Sequence, residues 1–132
     1  MIRSVTRAVA DTSLFIAEET GRPLDTSAFP DEIAVTVITI AELRAGVLAA
    51  EDLTTRDRRL RTLTAALALD PIPIDVAAAE QWARLRLLLL DNQLRMGLSG
   101  SWIAAVAMAL GIPVLTQDDG FPALDELTVI RV

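Results

Sequence analysis

The sequence predicts an α/β domain in which a small, mostly parallel sheet of four or five strands is flanked by helices. Two observations carry this reading. Five short runs, Val5–Ala10, Ile33–Val37, Ile72–Ile74, Pro113–Leu115 and Thr128–Val132, are mostly apolar throughout, which suits strands covered on both faces. Between them lie segments whose apolar residues recur at helical spacing. That alternation implies parallel strands joined by right-handed crossovers.

Taken in order, the first run leads into Asp11-Thr12-Ser13, residue types that start helices. After the second run Ile40, Leu43 and Val47 share a helix face, and Leu53, Leu60, Leu63 and Leu67 share the next. The stretch Asp75–Leu94 opens on a capping-type aspartate and contains Leu87–Leu90. Its C-terminal half is too apolar all round to face water, so burial against helices of this subunit or another is expected. Ile103, Val106, Ala107 and Leu110 repeat at helix spacing before the fourth run. Gly21–Pro30, with Pro23 and Pro30, is the one expected excursion loop. With no internal repeat or low-complexity linker, residues 1–132 read as one domain, long enough to bury well over half of its unfolded surface.

Composition excludes several chemistries. The chain has no cysteine and no histidine, so disulfides, thiolate metal sites and imidazole catalysis are out, and any metal must be bound by oxygen. Hydrophobic residues make up 52%, in runs too short to cross a bilayer. The opening MIRSVTRAVADTS holds two arginines and no apolar stretch of signal length before Asp11, so a cytoplasmic chain without membrane contact is expected. A net charge of −6 argues against coating nucleic acid by bulk attraction. RNA binding would need local help from a metal or from arginine, the only basic residue type present.

In parallel α/β sheets the binding crevice lies beyond the carboxyl ends of the strands. Three acidic positions are placed there: Asp11 directly after the first run, Glu42 one turn into the helix after the second, and Asp118-Asp119 after the fourth. Carboxylates gathered together repel by about 4 kcal/mol at ~4 Å and an effective dielectric of ~20, a cost that a divalent cation removes. Magnesium, or manganese, fits an acid cluster without His or Cys. Each residue also has a plainer reading: Asp11 as a helix N-cap, Glu42 as a solvated glutamate, Asp118-Asp119-Gly120 as an ordinary turn. A phosphoacceptor receiver domain also gathers acids at strand ends, but it needs a lysine that this chain lacks.

The pieces ADTSLFIA at Asp11, TVITIAELRAG around Glu42, RMGLSGSWIAAVAMALGIPVLTQDDGF from Arg95 to Phe121 and the closing TVIRV together resemble, over essentially the whole chain, the PIN-domain ribonucleases, in particular the VapC toxins of VapBC toxin–antitoxin modules. The resemblance implies a PIN-like three-layer sandwich, usually a homodimer. It implies an endoribonuclease that cleaves RNA with Mg2+ or Mn2+ and is silenced by a VapB-type antitoxin. Asp11, Glu42 and Asp118 match the family's metal-site acids, Asp119 is a nearby substitute, and Thr116 matches the small hydroxyl residue leading into the last acid. Thr12, Arg44 and Thr116 are the expected substrate-side residues. Arg44 has a better prospect of touching RNA than the run Arg56–Arg61, which reads as a solvated helix face.

One position departs from the family pattern. Where an aspartate normally stands two residues before Trp102-Ile103-Ala104-Ala105, this chain has Gly100. Glycine offers a metal no side-chain oxygen, so weakened metal binding and lost cleavage are expected, leaving a silent PIN domain that binds RNA or antitoxin as the alternative. The acid cluster is also a docking point for an antitoxin arginine. Apolar surface near Leu60–Leu67 and Leu85–Leu90 is where antitoxin or second-subunit contact is expected.

Overall fold

The structure, a computed structural model, describes residues 6–132. Val5, which the sequence places in the first strand, lies outside them. Four strands, β1 (Arg7–Ala10), β2 (Glu32–Ala34), β3 (Val114–Thr116) and β4 (Val129–Arg131), form one parallel sheet in the order β2-β1-β3-β4. The α-helices among the described residues are α1 (Thr12–Thr20), α2 (Val37–Ala49), α3 (Leu53–Leu67), α4 (Val76–Asp91) and α5 (Leu98–Leu110).

The expected three layers follow from the alternation of side chains along the strands. Val9, Ala34 and Val114 face α5 and α4, packing with Leu85, Ile103 and Ala107. Ala8, Ala10 and Leu115 face the opposite way, onto Leu14 and Phe15 of α1. The period of two thus commits neighbouring residues to opposite cores. Outside this, α3 packs on α2 through Leu43, Val47, Leu63 and Ala66.

The helix ends have local causes. Asp52 caps α3 by accepting from the Thr55 amide at 2.8 Å, and Asp75 caps α4 by accepting from the Ala78 amide at 2.9 Å. Helices α1 and α5 stop at Gly21 and Gly111, whose φ of 74° and 67° lie in the left-handed region that glycine enters without penalty.

Two expectations are corrected. The run Ile33–Val37 is strand only to Ala34, and Val37 already begins α2. Ile72–Ile74 is not a strand: Ile72 makes a single bridge to Thr36. Pro71 and Pro73 flank it without N–H groups, so no ladder can extend. Of Leu87–Leu90, Leu89 is 9% exposed, whereas Leu87 and Leu90, at 58% and 75%, form apolar surface of the kind expected near Leu85–Leu90. On the face Leu53, Leu60, Leu63 and Leu67 only Leu63 is buried, which leaves Leu60 and Leu67 on the apolar surface expected there. No helix of the described residues is long and apolar enough to cross a membrane.

Candidate functional site

The strand order reverses at the neighbouring pair β1 and β3, and a crevice opens where two parallel strands send their chains in opposite directions. Asp11 leaves β1 there, its amide donating to the Leu115 carbonyl at 2.8 Å, and Asp118 follows two residues after β3. Glu42 reaches the same place from α2. All three acids line one cleft of ≈ 440 Å³, whose far wall is the start of α5, including Ser99 and Gly100.

Hydroxyl groups hold these carboxylates. The Thr116 hydroxyl donates to Asp11 Oδ2 at 2.9 Å and accepts from the Asp118 amide at 2.9 Å, joining the ends of both strands. Having given its one proton to a carboxylate, Thr116 must accept from Ser13, 3.2 Å away. Ser13 in turn accepts from the Gln117 amide at 3.0 Å. On the opposite side the Thr12 hydroxyl donates to Glu42 Oε1 at 2.7 Å, so the Thr39 hydroxyl, 2.9 Å away, must donate to Thr12. Asp118 is set by a tight turn in which the Gly120 amide donates to its Oδ1 at 3.2 Å. A Cβ at Gly120 would approach Asp118 Oδ2 to 3.2 Å.

Each carboxylate is therefore oriented through one oxygen. Among the described residues no donor meets Asp11 Oδ1, Glu42 Oε2 or Asp118 Oδ2. Such hard, anionic oxygens suit a magnesium-like cation, which is typically bound through one or two carboxylates with water and substrate phosphate filling the rest. The donor set fits that use, although among the described residues no three acids are grouped tightly enough to hold an ion by themselves. At Gly100 the wall has room: an added Cβ would meet Phe121 Cζ at 3.6 Å and Met96 Cε at 3.7 Å, ordinary contact distances.

The remaining expected residues fall as follows. Thr12 lines the cleft. Thr116 is fully buried beneath it and reaches it through Asp11, Ser13 and Asp118. Asp119 does not line the cleft; its carboxylate pairs with Arg131 of β4 at 2.9 Å. Arg44 is exposed on α2 and does not line it either. Asp11 is at once a cleft acid and the N-cap of α1, its Oδ2 accepting from the Ser13 amide at 3.4 Å. Sequence reasoning missed Ser13 and Thr39. Thr39 stands three residues before Glu42, on the same helix face, and that spacing was the available signal.

Residues 8–127 of this chain fit the PIN domain model. The chain belongs to the PIN-domain family. Within it, the chain is 49% identical over 127 residues to Ribonuclease VapC5 of Mycobacterium tuberculosis, covering 94% of each. It is 43% identical over 130 residues to Ribonuclease VapC4 of the same organism, covering 98% of this chain and 99% of that one. A crystal structure of a member of the VapBC family of toxin–antitoxin systems, VapBC-5 from M. tuberculosis, matches with a TM-score of 0.88 and 45% identity over 96% of this chain and 99% of that one. The chain thus falls among the VapC members of the family.

Proposed function

We propose that this chain is the toxin of a VapBC-type pair, a single-domain ribonuclease that hydrolyses RNA phosphodiester bonds at the acidic cleft and is silenced by a VapB-type antitoxin. The observation that carries it is the convergence of Asp11, Glu42 and Asp118, from three distant parts of the chain, on one cleft at the switch point. The names of its relatives, Ribonuclease VapC5 and VapC4, support the reaction class.

In this reading Asp11, Glu42 and Asp118 would hold a cation, Mg2+ or Mn2+, together with water and substrate phosphate. A bound dication supplies positive charge to the scissile phosphate that this chain's own cleft residues lack. The chain's contribution is positioning. Thr116 and Ser13 keep Asp11 in place, Thr12 and Thr39 keep Glu42 turned into the cleft, and the Gly120 turn sets Asp118. A homodimer is part of the proposal, with Leu87 and Leu90 as apolar surface for the second copy.

Gly100 favours a second reading, a PIN domain that binds RNA or antitoxin without cutting, because the wall facing Asp11 carries no carboxylate. Gly100→Asp separates the two. The space beside Phe121 and Met96 accepts a Cβ at ordinary contact distances, and a restored ligand is expected to raise magnesium-dependent RNA cleavage by ~10–100-fold and to tighten magnesium binding in calorimetry. Tighter binding with no gain in cleavage would favour the silent domain, and no change in either would count against the metal-site assignment.

A further inference from the structure

A second groove of ≈ 290 Å³ runs on from the acidic cleft, with Ile16 and Glu42 lining both. Its outer wall is Arg58 and Arg59 of α3, and Glu19 of α1 and Gly46 of α2 lie opposite. We propose that Arg58 and Arg59 form a phosphate subsite that holds the RNA backbone next to the bond at the cleft. This rests on the ribonuclease reading above and adds the path of the strand to it.

Both guanidinium groups are held in place with donors to spare. Arg59 Nη1 donates to the Gly46 carbonyl at 2.7 Å, a neutral acceptor that among the described residues leaves its charge unpaired and its other N–H groups free. Arg58 meets Glu19 Oε2 through Nε at 3.7 Å, an approach from one edge that leaves the terminal nitrogens for a forked bond to phosphate. The Arg58 side chain is 51% exposed whereas that of Glu19 is 10% exposed, so the carboxylate acts as an anchor and the guanidinium faces the groove. Asp52, which also feels both charges, is occupied in capping Thr55. Of the neighbouring arginines, Arg56 makes the same kind of bond, to the Ala50 carbonyl, but does not line this groove, and Arg61 pairs with Asp57 and lines another cavity. In a chain of net charge −6 a polyanion needs such a local cationic stretch, and this one adjoins the acids.

The test is salt-dependent binding of a labelled single-stranded RNA to the full chain, followed by fluorescence anisotropy with calcium present. Arg58→Gln with Arg59→Gln is expected to weaken binding by about tenfold or more. It should also flatten the slope of log affinity against log salt by ~0.7 for each phosphate that is no longer neutralised. Arg61→Gln, which removes one charge from the same helix outside this groove, should leave both unchanged. Lysine at both positions should keep the slope while losing affinity, and carries the test if the glutamine pair fails to fold. Equal slopes for the wild type and the double variant, or an equal loss in Arg61→Gln, would overturn the subsite and leave the ribonuclease reading standing. A wild-type chain that binds no RNA at any salt would sink both.

Discussion

Two cavities of the same size, ≈ 440 Å³ each, sit at different places on this fold and are built by opposite means. The acidic cleft is held by hydroxyl–carboxylate bonds that tie α1, α2 and the end of β3 together. The other cavity lies between α1, α3 and the sheet and is walled by Leu14, Phe15, Leu24, Phe29, Ile33 and Leu69. Only the first has its directional bonds rooted in buried strand ends, so only there does the fold impose fixed positions on reactive groups. The second is shaped by side-chain packing, which specifies volume more than orientation. Position in the sheet, and not cavity size, separates a site from a gap.

The sharpest way to break this comparison is to substitute one residue in each cavity. Leu14 is 5% exposed and belongs to the apolar side of the sheet. Leu14→Ala is expected to cost about 2–5 kcal/mol of stability, read by urea unfolding, while cleavage per folded molecule changes little. Asp11→Asn should do the reverse. Asparagine caps a helix as well as aspartate does, and its carbonyl oxygen still accepts from Thr116, so the midpoint of unfolding should hardly move. Cleavage should fall by ~100-fold, the upper end of what removing groups around a metal site costs. If Asp11→Asn unfolds the chain and spares activity, the cleft is structural and the contrast between the two cavities fails.

The difference between the cavities also governs what was legible in the sequence. Asp11, Glu42 and Asp118 were readable because each follows a short apolar run, and a parallel sheet gathers the carboxyl ends of its strands on one edge. Helix α5 was readable because its apolar spacing is nearly uninterrupted. The orienting hydroxyls were less so: Thr116 was marked only by the family resemblance, and Ser13 and Thr39 are ordinary residues until the fold brings β3 and α1 to them. The pairing of Ala10 with Leu115 is what sets Thr116 beside Asp11. Ile72–Ile74 looked like a strand by composition, and the missing amides of Pro71 and Pro73 overrode that. The exposure of Leu87 and Leu90 was legible only as an apolar surface somewhere near Leu85–Leu90, for another reason. Periodicity identifies a helix face, but α5 covers only one side of α4, through Leu85 and Leu89.

A smaller effect separates the cleft acids from a carboxylate whose role is local. Asp52 caps α3, and its carboxyl is held below the ordinary aspartate value of 3.8, first by the bond from the Thr55 amide, then by the Thr55 hydroxyl, against a desolvation effect larger than the contribution that either Arg58 or Arg59 adds. A carboxylate whose folded value is depressed stabilises the fold above its unfolded value and loses that contribution as pH falls through the folded one. Asp52→Asn keeps a capping acceptor but removes the titration. The unfolding midpoint of the wild type should therefore exceed that of Asp52→Asn by a small margin near neutral pH, and the margin should close as the pH drops below the aspartate range. RNA cleavage at neutral pH should be the same in both. A margin that widens in acid would mean that the Asp52 charge opposes the start of α3, and the cap would then owe nothing to ionisation.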